Sequence, residues 1–322
     1  MKQNNLAATL GGLMISLAVC SSVVRAETIV PRYVPVADLA GILTSVGSDT
    51  MVYLVSFWAV EFKKLYPRVQ VRITQAGSAT APPALARDES NLGPMSRPMT
   101  DKEVAEFEQR HGYRPTEIRV ALDTLAVYAN RDNPVAGLTM AQIDAVFSAE
   151  RRCGEKNDVL RWGQVGAAGE WAVRDIDLYG RNLISGTYAF FREHALYKGD
   201  FRKTLQMKPT SVDVVNAVMT RSNAIGYSGI GYLRPGVRAL PLAARAGESF
   251  VEATPENARN GRYPLTRFLY LYVNKAPGRP LPPLEREFLR FVLSGFGQAV
   301  VDNDGFIPLV AEQLRAELSK LD

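Results

Sequence analysis

An α/β fold of two lobes is predicted from three observations. Short apolar strands alternate with amphipathic helices through the first hundred residues, the rhythm of a largely parallel sheet with helices packed on it. Two long strand-like runs, IRVALDTLAVYANRDNP and YPLTRFLYLYVNK, stand far apart in the chain and would each cross a domain boundary. Several strands end in loops of small polar residues that open a helix, and ligands of open α/β sheets sit beyond such strand ends.

The elements follow in order after a linker carrying Pro31 and Pro35. GILTSVGSD reads as a strand entering a turn. TMVYLVSFWAVEFKKLYP has helical spacing of apolar residues, with FWAVEF as a core stripe, and stops at Pro67 because proline cannot continue a helix. VQVRIT alternates like a strand, GSATAPPALARDE opens another helix, and NLGPMSRPMT is a short strand with a loop. Thr100 and Glu103 are spaced as a capping box ahead of DKEVAEFEQRHG. The two crossings imply a discontinuous first lobe, residues 27–128 and 268–322, around an inserted second lobe, residues 129–267. The helical strings PLEREFLRFVLSGFGQAVVDNDG and PLVAEQLRAELSKL complete the first lobe.

The first 26 residues have one early lysine, an apolar run from Leu6 to Val24 and small or apolar residues at Val24 and Ala26, the layout of a secretory signal peptide cleaved after Ala26. A transmembrane anchor and a lipoprotein processed at Cys20 are the rival readings. Export with cleavage puts the mature chain in the periplasm or outside the cell. It also removes Cys20, leaving Cys153 with no partner for an intramolecular disulfide. Loss of Lys2 and Arg25 takes 38 basic residues to 36 against 33 acidic, and the net charge from +5 to +3. That excess is too small for a nucleic-acid surface but suits an anion approaching a cleft.

Gly-Ser strings are common in turns and weak alone. Here Gly47-Ser48-Asp49-Thr50, Gly77-Ser78-Ala79 and Ser185-Gly186-Thr187 all precede helices, where glycine admits close approach, hydroxyls donate and unpaired amides and helix dipoles favour an anion. Arg181, four residues before Ser185, and Arg97, beside Ser96, are the cationic candidates, because a guanidinium matches an oxyanion with two parallel bonds. Asp49 would cap the following helix or accept the proton of a protonated oxyanion while repelling sulfate. His111 and His194 read as surface residues outside any metal-ligand spacing. Ser185 has no evident base, Cys153 reads as a loop thiol, and Walker A and GxGxxG patterns are missing. SNAIGYSGIGYL reads as a strand and tight loop near the hinge with Tyr227 and Tyr232 packing. No catalytic residue, cofactor or metal is expected.

Read together, VGSDTM, QAGSATAPPAL, NLGPMSRPMT, the long segment from YRPTEIRVALD to AQIDAVFS, YGRNLISGTYAFF and NAIGYSGIGY resemble the periplasmic phosphate-binding proteins of PstS type that serve ATP-binding-cassette (ABC) importers. The resemblance runs from about residue 43 to about 310. It implies a type II solute-binding fold with a ligand cleft between the lobes, a monomer, inorganic phosphate as ligand and a membrane permease as partner. It also implies a site formed by Ser48, Asp49, Thr50, Ser78, Ala79, Arg181, Ser185, Gly186 and Thr187, to which Ser96 and Arg97 of the third loop are added as candidates from the residues themselves. Many members carry aspartate in the third loop where this chain has Ser96-Arg97, so the proton-acceptor role is expected of Asp49. Leu183 and Ile184 replace smaller residues of relatives and are expected to alter packing. A secreted phosphatase, a receptor for sulfate or molybdate, and an adhesion role are the alternatives.

Overall fold

The computed structural model describes residues 30–36 and 38–322, so the expected leader, residues 1–26, lies outside the described residues. The chain opens with β1 (Gly41–Gly47), α1 (Val52–Leu65), β2 (Val69–Gln75), α2 (Ala81–Ala86), β3 (Gly93–Met95), α3 (Asp101–His111) and β4 (Thr116–Asn130). Next come β5 (Leu138–Thr139), α4 (Met140–Phe147), β6 (Asp177–Arg181), α5 (Gly186–His194), β7 (Gln206–Lys208) and α6 (Ser211–Thr220). β8 (Ala224–Gly229), β9 (Val237–Ala239), β10 (Leu242–Ala243) and α7 (Pro255–Arg259) follow. β11 (Thr266–Val273), α8 (Pro283–Val292), α9 (Gly295–Asn303) and α10 (Ala311–Leu318) end the fold.

The sheet runs β3-β11-β4-β8-β6-β7, with β9 also on β4. β1 and β2 pair in parallel, and β1 meets the start of β3 through a parallel bridge between Ser45 and Leu92. β4 is shared by both halves of the sheet. Up to Thr124 it pairs antiparallel with β11, and from Leu125 it pairs with β8. The exchange of partners therefore falls ahead of the boundary expected at residue 128. The sheet is mixed rather than largely parallel, because the chain leaves the first half along β4 and returns antiparallel along β11. One buried cluster, including Phe147, Trp162, Phe191 and Tyr227, draws only on residues from Leu125 to Leu265, so the second half has a core of its own. The whole is an α/β fold with helices on a central sheet.

Local signals explain most helix boundaries. α1 buries Leu54, Val55, Trp58 and Phe62 at helical spacing and ends before Pro67, while Phe57 of the expected core stripe is 48% exposed. Thr100 and Glu103 form the expected capping box. PLEREFLRFVLSGFGQAVVDNDG is two helices. Ser294 breaks it, its Oγ donating to the Phe291 carbonyl (2.7 Å) and accepting from the Gly297 amide (3.3 Å) as the N-cap of α9. The break seats α9 against α1, where Trp58 Nε1 donates to the Gly297 carbonyl at 2.8 Å.

Asp304, just past α9, packs at the seam between the halves: a Cβ built on Gly231 would lie 2.9 Å from its carbonyl oxygen. Burial pushes its carboxyl up to about 7. The folded state thus holds that proton more tightly than the unfolded chain, so this stabilisation is complete below about pH 4 and disappears as pH rises toward about 7. Asp304→Asn should therefore gain melting temperature relative to the native chain at pH 8 compared with pH 4. Parallel melting curves across that range would contradict this account.

Candidate functional site

Four helix beginnings meet where the halves of the sheet adjoin. The first three come from the loops after β1, β2 and β6, each passing from a strand into a helix through small polar residues. In the first half, Ser96, just after β3, ties the loops together. Its Oγ accepts from Ser48 Oγ (3.1 Å) and shares a bond with Ser78 Oγ (3.2 Å), while its amide donates to Ser78 Oγ (3.0 Å). From the second half, Ser185 caps α5, its Oγ accepting the Thr187 amide at 3.1 Å. Thr187 Oγ1 lies 3.0 Å from Thr50 Oγ1, so a hydroxyl bridge joins the two halves. Ser48, Thr50, Ser78, Ser96, Ser185 and Thr187 are all essentially out of solvent.

Glycine makes this approach feasible. A Cβ on Gly186 would lie 2.3 Å from Ser78 Oγ and 2.6 Å from Ser96 Oγ. Gly77 has φ +153°, and a Cβ there would lie 2.5 Å from the Ile184 carbonyl oxygen. That same oxygen accepts the Ala79 amide at 3.1 Å. Ala79, half-buried, thus uses its amide to join the halves. Leu183 and Ile184, the bulky pair in this turn, are 69% and 41% exposed.

Arg181, at the end of β6, is fully buried. Its Nη2 donates to Asp49 Oδ1 (2.5 Å) and to the Pro209 carbonyl (2.8 Å), and its Nη1 donates to Ser211 Oγ (2.9 Å). Its Nε is buried without a hydrogen-bond partner among the described residues. Asp49 makes no cap for its own helix; it reaches across to the fourth helix start, where Oδ2 accepts the Ser211 amide (3.0 Å) and Oγ (3.2 Å) at the beginning of α6. An anion at a helix N-terminus interacts favourably with the dipole. Arg97 is placed differently from the sequence expectation. Its fork is bonded to both oxygens of Glu103 (2.7 Å each) and to the Pro98 carbonyl (2.8 Å), which ties it to the capping box of α3.

Three contributors were not anticipated. Ser211 follows β7 through Pro209-Thr210, the same strand, small-polar, helix pattern as the other three starts, so the signal was present. Tyr232 donates to the carbonyls of Asp49 (2.9 Å) and Thr50 (3.1 Å), and burial keeps its hydroxyl protonated as a donor. Tyr227 stacks on Phe191 with centroids 3.9 Å apart, and its hydroxyl accepts the Arg181 amide at 3.3 Å. Both tyrosines therefore do more than pack. His111 is half-buried with Nε2 3.0 Å from the Ala86 carbonyl, a correction to its surface reading, while His194 is exposed beside Phe190. Among the described residues no group of three His, Cys, Asp or Glu side chains could hold a metal, and no helix is long and apolar enough to cross a membrane.

A sequence model of the PBP superfamily domain matches residues 34–295. The chain is also 50% identical over 321 residues to the phosphate-binding protein PstS of Pseudomonas aeruginosa, covering 100% of this chain and 99% of that one. The chain belongs to the PstS-type members of that superfamily. A more distant relative, protein SphX of Synechococcus elongatus, is 28% identical over 279 residues, 85% of this chain and 80% of its own. The crystal structure of a Clostridium perfringens protein, assigned as a phosphate ABC transporter substrate-binding protein and solved with bound phosphate, superimposes with TM-score 0.71 at 25% identity. It covers 84% of this chain and 100% of its own. An ABC-type phosphate transport receptor from Vibrio cholerae shares the periplasmic binding protein fold, with TM-score 0.64 at 20% identity over 83% of this chain and 100% of its own.

Gly77→Ala, by pushing away the Ile184 carbonyl, should speed hydrogen exchange of the Ala79 amide at least about tenfold, equivalent to roughly 1.4 kcal/mol of lost closure. Unaltered exchange at Ala79 would show that the loops tolerate the methyl group.

Proposed function

We propose that this protein is an extracytoplasmic phosphate receptor that holds inorganic phosphate between two lobes and delivers it to the permease of an ABC importer. The lobes are residues 27–128 with 268–322 and residues 129–267, hinged where β4 exchanges β11 for β8. One observation carries the reading: buried hydroxyls from helix starts in both halves gather beside a fully buried guanidinium, Arg181. The name of the Pseudomonas relative and the bound phosphate of the Clostridium structure agree with it. The chain is a binding protein, not an enzyme, as its relatives' names indicate.

In this reading Ser48, Thr50, Ser78, Ser96, Ser185 and Thr187 turn their hydroxyls from one another to the phosphate oxygens, helped by the backbone donor at Gly186, while the Ala79 amide stays on the Ile184 carbonyl. Arg181 supplies the charge. Each bond to the charged ligand contributes about 1.5–3 kcal/mol, opposed by desolvation and by ordering of the lobes. Asp49 Oδ1 carries one bond and keeps a lone pair for the proton of hydrogen phosphate. Fully ionised sulfate has no proton to offer and meets that oxygen as a repelling charge. Arg97 stays with Glu103. Hydrolysis of a phosphoester would need a base beside a hydroxyl; the partners of these hydroxyls are other hydroxyls, amides and guanidinium groups.

Calorimetric titration of the purified mature chain tests this. Arg181→Lys keeps a charge for Asp49 but loses the fork, and should weaken phosphate binding at least about tenfold. An unchanged dissociation constant removes Arg181 from the site. Asp49→Asn should narrow the gap between phosphate and sulfate affinities; an unaltered competition curve leaves Asp49 as a tether between the halves only.

A further inference from the structure

Arg267 is the one charged residue of β11, and every side chain after it in the strand is apolar or aromatic. Its cross-strand partner in register is Asp123, on the other strand that joins the two halves. Arg267 Nε and Nη2 donate to Asp123 Oδ2 at 3.0 and 2.8 Å, and the Asp123 side chain is completely buried. The remaining oxygen, Oδ1, accepts the Ile230 amide at 3.1 Å. Arg267 Nη2 also donates to Thr187 Oγ1 at 2.9 Å, the same hydroxyl that bridges to Thr50. The guanidinium lies 5.4 Å from the centroid of the Phe190 ring. Its Nη1 is buried and has no hydrogen-bond partner among the described residues, although the side chain is only 2% exposed.

A buried donor without an acceptor is destabilising, so a cation held in that state next to the Thr187 hydroxyl calls for an acceptor that arrives later. Arg267 also lines a cavity of about 690 Å³ between the loop at Arg97–Asp101, β11 and α5. Arg97, Asp101, Glu193, His194 and Tyr270 are the other charged or titratable groups on its wall, and Arg97 is bonded to Glu103. Arg267 is the wall residue with a buried, unpartnered donor.

We infer that Arg267 is a second anion-recognising guanidinium, presenting Nη1 to an oxyanion held at Thr187, with Asp123 as its fixed counter-ion. The inference rests on the phosphate reading above. Two cations, Arg181 from β6 and Arg267 from β11, then flank the hydroxyl cluster, and a doubly charged ligand benefits from the second more than a singly charged one does.

Phosphate titration calorimetry on the full mature chain tests this at about pH 5.5 and about pH 8.5, where the monoanion and the dianion prevail. Removing Arg267 alone would strand a buried carboxylate, so the variant is Asp123→Asn with Arg267→Gln, which keeps a hydrogen-bonding pair. Its dissociation constant, relative to the native chain, should rise at least about tenfold at the higher pH and clearly less at the lower. Arg267→Lys keeps the charge and should keep the native preference for the dianion; if the double variant does not fold, loss of that preference in the lysine variant overturns the inference. For the double variant, affinity within about twofold of native at both pH values overturns the inference, as does an equal loss at both, the signature of a merely structural pair. If the native chain binds no phosphate, the receptor reading falls and this inference with it. Native binding with an unaffected variant sinks this inference alone.

Discussion

The Asp49–Arg181 pair is the constraint on which the arrangement of the site depends. Its members come from opposite halves of the sheet, and both are withdrawn from water, a desolvation that costs several kcal/mol per ion and is offset by hydrogen bonds to all of the pair's polar atoms but the guanidinium Nε. The partners are specific. Ser211 meets one carboxylate oxygen with its amide, and the Pro209 carbonyl and Ser211 hydroxyl take guanidinium protons. Tyr232 holds the backbone on which Asp49 is carried. A shift of one half relative to the other would break several of these bonds together, so the pair makes the relative placement of the halves close to all-or-none.

The chemistry of the hydroxyl cluster follows from that placement. Serine and threonine hydroxyls both donate and accept, so they satisfy one another when they meet and redirect to a guest without leaving buried polar atoms bare. A cluster of carboxamides or lysines would lack this reversibility. The glycines at 77 and 186 complete the design by letting backbone and hydroxyl groups from opposite halves come within contact distance.

Features set by short-range rules were legible in the sequence. The capping box of Thr100 needs only a partner three residues away, the end of α1 needs Pro67, and all four helix starts carry small polar residues after a strand. What escaped depends on contacts across the fold. Asp49 meets Ser211 at a separation of 162 residues and Tyr232 at 183, and no local pattern links them. Ser294 was hidden because apolar spacing continues on both sides of it. Arg97 looked like Arg181 from its neighbours alone; only the folded chain distinguishes an arginine bonded to Glu103 from one turned toward Asp49. Arg267 does carry a mark, a lone charge inside an apolar strand, although it falls at the expected lobe boundary.

The position of β11 between β3 and β4 has a consequence for biogenesis. The core built from Leu125 to Leu265 is contiguous in the chain and can consolidate as soon as that stretch has emerged from a ribosome or a translocation channel. The other half cannot: β3 lacks its hydrogen-bonded neighbour until Thr266–Val273 arrives. β3 and the first part of β4 are therefore sealed only late, and a chain truncated before β11 would present open sheet edges to chaperones and proteases.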